Sequence, residues 1–145
     1  MQEQTIQIVS QAIYYIEEHL YKKINLDIVA LALHYSKYHL HHIFTKTIGF
    51  TIHTYVKRRK LTEAAKLLVF SKKPIIEIAL ISGYESQQAF TDIFKAMYKT
   101  SPAQFRKAKN FYPLQLAIYP KENLIKIDLA KNKIRFATLS DIDDW

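Results

Sequence analysis

The chain of 145 residues contains no cysteine, only two glycines and only four prolines. The lack of cysteine excludes disulfides, thiol catalysis and cysteine-ligated zinc. The scarcity of glycine and proline argues against β-sandwiches, barrels and glycine-rich phosphate loops, and it favours helices with short connections. The longest apolar run, Ile28 to Leu33, is too short to cross a bilayer, and the first residues do not read as a secretory leader. The sequence therefore predicts a cytoplasmic, mainly α protein without catalytic residues, metal site or cofactor.

Positive charge is concentrated in the first three quarters of the chain. Residues 1–109 contain 16 Lys and Arg against 8 Asp and Glu, a net charge of +8, whereas residues 110–145 contain 5 of each. Such a distribution is expected if the first part faces a polyanion such as DNA. A basic surface that serves only solubility has the same charge, so this observation alone leaves both interpretations open.

Apolar residues recur at helical spacing through the first 109 residues and predict seven helices. Small hydroxyl residues that suit N-cap positions precede several of them, and Gly49 suits a helix end. The predicted helices cover about 5–20, 26–32, a segment opened by Ser36, 51–70, 75–81, a segment opened by Ser86, and 102–109.

The pattern changes after Phe111. Alternating apolar residues at 114–118, 125–129 and 134–136 predict three short strands. Three strands without a helix cannot bury a core of their own. We therefore expect two domains, a helical one at 1–109 and a β-prone tail at 110–145, which is either the start of a truncated second domain or a remnant that covers the helices.

The helical region contains an internal duplication. Residues 29–31 match 78–80 at an offset of 49, and after the turn the offset becomes 50. The matched pairs there are Ser36 and Ser86, Leu40 and Phe90, Phe44 and Phe94, Thr51 and Ser101, and Tyr55 and Phe105. Each copy has the form of a helix-turn-helix, so we predict two homeodomain-like units joined by a long helix.

The turns of the two copies also differ at the residue that precedes the shared tyrosine. Gly83 suits a turn that needs a positive φ, because glycine adopts that backbone conformation without a steric penalty. His34 stands at the equivalent position of the first copy. If the first turn has the same conformation, His34 is strained there.

The motifs of the two copies resemble the DNA-binding domain of the AraC/XylS family of bacterial transcription regulators, and within it the MarA/SoxS/Rob-like subgroup. The resemblance covers residues 5–109 and is strongest in the second copy. The residues that carry it are Tyr35 to Leu40, Ile43-Phe44, Gly49, Tyr55 to Leu68, Ile75 to Ala79, Gly83 to Phe90, Phe94-Lys95 and Ser101 to Arg106. It implies a monomeric DNA-binding domain at 1–109, double-stranded DNA as ligand and RNA polymerase as a downstream partner. In Rob-like members a larger effector-binding domain follows the DNA-binding part, so the resemblance implies that residues 110–145 are either the start of a domain that binds a small-molecule effector or a remnant that covers the helices.

In each copy the face opposite the apolar stripe is free to enter a major groove. We predict base contacts from Tyr38, His41 and His42 in the first copy and from Gln87, Gln88 and Thr91 in the second. Glutamine suits bidentate pairing with adenine, and threonine can offer its methyl group to thymine. Thr45 and Asp92 share these faces. If His41 or His42 lies near phosphate, binding should strengthen as the pH falls from about 7.5 to 6, because the imidazolium form is favoured there.

A second set of residues is predicted to contact phosphates and so to position the protein without reading sequence. Ser36 and Ser86 cap the two recognition helices and leave backbone N–H groups free for an anion. The full set is Ser36, Lys37, Lys57, Arg58, Ser86 and Lys95. Arg59 is assigned either to phosphate or to a structural ion pair with Glu77.

The sequence thus predicts a sequence-specific transcription regulator, an activator by resemblance, that inserts two recognition helices into consecutive major grooves. A basic helical module that binds acidic proteins is one alternative. The DNA-binding part of a transposase or recombinase is another, although the catalytic domain it needs is not apparent in this sequence. Four histidines lie between 34 and 42, yet no carboxylate or cysteine completes a metal site beside them.

Overall fold

A computed structural model of the chain describes residues 2–119. Regular structure within this range is helical, and the seven predicted helices are confirmed. They are α1 (Gln2–Glu18), α2 (Leu26–Leu33), α3 (Lys37–Ile48), α4 (Ile52–Phe70), α5 (Ile75–Ile81), α6 (Gln87–Tyr98) and α7 (Pro102–Ala108). None of the helices in this range is long and apolar enough to span a membrane. The end of α1 was predicted two residues too late, because Leu20 is buried although the chain already turns there.

The predicted N-caps form as expected. The side chains of Ser36, Thr51, Ser86 and Ser101 each accept a hydrogen bond from the backbone N–H three residues later, at 3.0–3.1 Å. Each bond satisfies one N–H that a helix cannot satisfy itself. Asn25 caps α2 in the same way, at 2.9 Å. These short local patterns therefore fix where the helices begin.

The two helix-turn-helix turns share a left-handed backbone conformation, as the duplication suggested. Gly83 has a φ of 92° and His34 has a φ of 65°. In both turns the tyrosine that follows donates its N–H to the alanine carbonyl five residues back, at 2.9 Å for Tyr35 and 3.0 Å for Tyr84. A residue with a Cβ is disfavoured in this region, so His34 stores strain that Gly83 does not.

Two hydrophobic cores lie on either side of the long helix α4. The first is formed by α1, α2, α3 and the start of α4, and it includes Leu40, Phe44 and Tyr55. The second is formed by the rest of α4 with α5, α6 and α7, and it includes the equivalent residues Phe90, Phe94 and Phe105. All six side chains are at most 3% exposed. The duplicated apolar positions therefore serve as equivalent core positions, and α4 joins the two units.

The segment after α7 differs from the prediction. Alternation at 114–118 predicted a strand, but residues 110–119 form none. The backbone N–H groups of Leu114, Gln115 and Ile118 instead donate to side-chain oxygens of α4. An apolar alternation suits a strand in a sheet, but it also suits an extended chain that lies across a helical surface. Which of the two forms depends on whether the folded protein offers a neighbouring strand or a helical surface. The strands predicted at 125–129 and 134–136 lie outside the described residues.

Candidate nucleic-acid interface

The outward face of α3 carries the residues predicted to read the first groove. Tyr38 is 78% exposed, and His41 and His42 are exposed one turn further along the helix. Leu40 and Phe44 hold the opposite face in the first core. Thr45 is only half-exposed, and its hydroxyl is enclosed without a hydrogen-bond partner among the described residues. The accessible part of this face therefore centres on the first two turns of α3.

Lys37 lies at the start of the same face. Its Nζ is 3.5 Å from the Asp27 carboxylate and 5.5 Å from the centre of the Tyr38 ring. Both members of this ion pair are well exposed, and exposed pairs contribute little to stability. The ammonium can therefore exchange Asp27 for a phosphate at small cost.

The outward face of α6 carries the residues predicted to read the second groove. Gln87, Gln88 and Lys95 are exposed, whereas Thr91 is half-buried. The Nε2 of Gln88 donates to Oδ1 of Asp92 at 2.8 Å. This bond orients the amide and leaves its second N–H and its oxygen free, which are the donor and acceptor that adenine pairing needs. The i,i+4 spacing of the two residues could have indicated this contact from the sequence.

The N-terminus of each recognition helix combines a polar cap with free backbone donors. Ser36 and Ser86 accept the N–H groups of His39 and Ala89, respectively. The first two N–H groups of an α-helix have no partner within the helix. With the helix dipole they form a site that favours an anion such as phosphate.

The two predicted phosphate contacts on α4 have different surroundings. Lys57 lines a cleft of about 690 Å³ between α4, the loop at 21–25 and the turn that precedes α6. Arg58 instead lies over the Phe50 ring, at 4.7 Å, and its Nη1 is 3.4 Å from the side-chain oxygen of Gln115. Arg58 is therefore already in contact with other residues of the fold, whereas Lys57 faces the cleft.

Lys60 lies in the same cleft but serves the fold. Its Nζ donates to the carbonyl oxygens of Leu20 at 2.7 Å and Lys22 at 2.9 Å, and burial lowers its pKa. These bonds tie the loop after α1 to the middle of α4. The sequence offered no sign of this role, since the carbonyl partners are about forty residues away.

Arg59 does not pair with Glu77, so that prediction is wrong. The guanidinium is buried and binds Glu17 of α1 at 2.7 and 2.8 Å and Glu63 of α4 at 3.1 Å, whereas Glu77 pairs with Lys73. Burial lowers the pKa of Arg59, but the hydrogen bond and charge of Glu17 outweigh it, so the net shift is upward. Arg59 therefore has a structural role. The i,i+4 spacing of Arg59 and Glu63 on the same helix could have indicated their contact from the sequence.

The clustered histidines do not form a metal centre in residues 2–119, where no group of three His, Asp or Glu side chains is placed to hold an ion.

What the geometry provides is two capped helices with polar outward faces and apolar inner faces. Each follows a short helix and a tight turn, and both units share α4. This arrangement defines a protein with two helix-turn-helix units.

Comparison with known proteins also indicates a helix-turn-helix protein. A family model described as a helix-turn-helix domain matches residues 29–108. The HTH-type transcriptional activator AarP of Providencia stuartii is 36% identical over 114 residues, which cover 79% of this chain and 84% of AarP. The HTH-type transcriptional regulator YbfP of Bacillus subtilis is 39% identical over 98 residues, 68% of this chain. The chain spans only about a third of YbfP, since the match covers 33% of that protein.

Solved structures share the fold. The C-terminal domain of AraT, a response regulator from Geobacillus stearothermophilus, matches with a TM-score of 0.68 and 30% identity over 72% of this chain and 87% of that one. The DNA-binding domain of AdpA, solved with a target DNA, matches with a TM-score of 0.64 over 69% and 90%, respectively. At 22% identity, AdpA supports the fold alone. The chain belongs to the AraC/XylS family of DNA-binding transcription regulators, which are not enzymes.

Proposed function

We propose that this regulator is an activator that inserts α3 and α6 into two consecutive major grooves on one side of a duplex. The observation that carries the proposal is the equivalence of the two units. Leu40 and Phe90 anchor the inner faces of α3 and α6 in the two cores, while Tyr38 and Gln88 are exposed on the outer faces. A single chain then meets two successive grooves, about 34 Å apart, without a second copy.

Direct readout is assigned to the exposed ends of both helices. Gln88, held by Asp92, pairs with adenine, and Tyr38 packs against a base or sugar edge. The remaining base contacts are assigned to His41, His42, Gln87 and Thr91.

Phosphate contacts position this readout. They are assigned to the caps Ser36 and Ser86 and to Lys37, Lys57 and Lys95. Arg58 contributes less, because its guanidinium lies over Phe50 and beside Gln115.

Activation is supported by the likeness to AarP, which is named an activator. The family resemblance extends the proposal to RNA polymerase as the protein partner on the promoter. A small-molecule effector is assigned to the part of the chain after residue 110.

Selection of bound fragments from random DNA, followed by gel shifts over a salt series, tests the proposal. We expect one asymmetric site spanning about two turns and a complex with one protein chain. Sequence discrimination should survive at about 150 mM salt, where purely electrostatic binding is weak. Enrichment of no sequence, or only a dimeric complex on palindromic DNA, would contradict the proposal.

A matched pair of glutamine variants tests the readout by α6. Gln88→Ala should lose about 1–3 kcal/mol of discrimination at one base pair, because a bidentate contact is worth about that much. Gln7→Ala, an exposed glutamine on α1, should leave discrimination unchanged. Equal behaviour of the two variants would remove Gln88 from the interface.

A further inference from the structure

The segment of residues 111–119, here called the strap, lies across both helix-turn-helix units. Phe111 and Leu114 pack against the second core, while Ile118 and Tyr119 pack against the first. The strap thus contacts both cores, which are also joined by α4 itself. The sequence left open whether this segment starts a second domain or covers the helices, and residues 111–119 lie across the helices.

The strap is bound by specific polar contacts as well as by apolar packing. The Oγ1 of Thr62 accepts the N–H groups of both Leu114 and Gln115 at 3.0 Å, and Thr62 is fully buried. The carbonyl oxygen of Gln115 accepts from Nη1 of Arg59 at 3.1 Å. A single hydroxyl that receives two backbone donors fixes the position of the chain closely, because an unpaired buried N–H is costly.

Each end of the strap is bound to one unit by a tyrosine hydroxyl. The Tyr98 hydroxyl at the end of α6 donates to the carbonyl of Tyr112 at 2.9 Å. The Tyr55 hydroxyl accepts the N–H of Ile118 at 3.1 Å and donates to Glu17 of α1 at 2.9 Å. The same segment therefore bonds to α6 in one unit and, through Tyr55, to α1 in the other.

The strap lies on the side of α4 away from the cleft. Tyr55, Arg59 and Thr62 bind the strap, whereas Lys57 and Lys60 line the cleft. With 3.6 residues per turn these two sets point to opposite sides of the helix. A duplex that contacts Lys57 therefore leaves the strap uncovered.

We infer that the strap, through Thr62 and Tyr55 as positioning residues, sets the angle between the two units and hence the spacing of half-sites that the protein accepts. A helix joining two units can bend and twist slightly, whereas a helix braced along its back by a bonded chain resists both. The inference rests on the proposed function for its effect on DNA. The effect of the strap on the geometry of the free protein is independent of DNA.

The geometry can be measured on the free protein. Because the chain has no cysteine, Thr47→Cys and Ala96→Cys, exposed on α3 and α6, can carry a single pair of spin labels. Pulsed dipolar spectroscopy then gives the distance distribution between the two recognition helices. We expect Thr62→Val and Tyr55→Phe to widen the distribution. Thr62→Ser, which keeps the hydroxyl, and Thr5→Val, which alters a threonine of α1, should leave its width unchanged.

The effect on DNA is measured with the selected site and with a probe that has one extra base pair between the half-sites. The insertion moves the second half-site by about 3.4 Å and rotates it by about 34°. The ratio of affinities for the two probes should fall at least about fivefold in Thr62→Val, because one hydrogen bond of ordinary strength is worth about that factor and the substitution removes two. Thr62→Ser should restore the ratio.

The two measurements separate the two proposals. If no DNA site is selected, the proposed function fails and the distance distributions still decide the role of the strap. Distributions as narrow as that of the parent protein in Thr62→Val and Tyr55→Phe, with helical circular dichroism intact, would overturn the inference. If Thr62→Val does not fold, Tyr55→Phe makes the same test at the other end of the strap.

Discussion

The buried ion pair between α1 and α4 offers the sharpest test of how this fold is held together. Arg59 is 6% exposed, and its guanidinium donates to Glu17 at 2.7 and 2.8 Å, to Glu63 at 3.1 Å and to the Gln115 carbonyl at 3.1 Å. Arg59→Met keeps most of the apolar stem but removes every donor. Glu17 would then lose its cation while remaining largely buried, whereas Glu63 would keep Lys66 at 3.2 Å.

The expected loss is large compared with the stability of an ordinary domain. Removing one partner of a buried ion pair costs about 3–5 kcal/mol, since the other charge remains desolvated. Domains of this size unfold with about 5–15 kcal/mol. We therefore expect Arg59→Met to lower the free energy of unfolding by about 3–5 kcal/mol and Tm by roughly 10–20 °C.

The neighbouring residue supplies a matched control. Arg58 is half-buried and makes a contact over the Phe50 ring and a long bond to Gln115. Such a cation–π contact is worth about 0.5–1 kcal/mol, so Arg58→Met should cost no more than that. Both variants are measured by urea denaturation followed by circular dichroism. If the two substitutions cost the same, the Arg59 ion pair does not hold α1 on α4.

Three further predictions concern strain, charge and pH. His34→Gly should raise the free energy of unfolding by about 0.5–1 kcal/mol in the same urea assay, since glycine relieves the positive φ. Gly83→Ala, which introduces a Cβ where φ is 92°, should lower it, and a loss of stability in His34→Gly would refute the strain argument. Lys95→Ala should reduce the slope of log affinity against log salt by about 1 without changing sequence preference, and an unchanged slope would exclude Lys95 from the phosphate contacts. Burial raises the pKa of Tyr98 to about 12 from 10.0, so the folded protein retains a proton that the unfolded chain loses. The free energy of unfolding should therefore fall as the pH rises from about 10 to 12. In urea denaturation at each pH, the free energy of unfolding of Tyr98→Phe should fall less steeply than that of the parent protein. Identical curves would contradict this assignment.

The local structure of the protein was predictable from short-range patterns. Caps such as Ser36 and Ser86 lie three residues from the N–H groups that they accept, and Gly49 ends α3 where it was expected. The strained turn at His34 followed from comparing the two copies of the repeat. Interactions that join residues within about one helical turn depend on little else, so the sequence alone determines them.

The contacts between distant segments could not be predicted in this way. Many acidic residues could have paired with Arg59, and only the packing of α1 against α4 brings Glu17 within reach while Glu77 remains with Lys73. The same holds for the candidate interface. The sequence placed Tyr38 and Gln88 on outward faces, but Arg58 turned toward Phe50 because a neighbouring ring was available.

By itself, the sequence determined seven helices, their caps, the duplicated helix-turn-helix and the faces that remain polar. The tertiary structure alone decided that residues 111–119 form a strap and not a strand, and that Thr62, Tyr55 and Arg59 hold it. The physical reason is that a helix and its caps satisfy their backbone groups from nearby residues. A segment without regular structure must find partners wherever the folded chain offers them, and Thr62, Arg59 and Tyr55 lie about fifty to sixty residues from the strap residues that they bind.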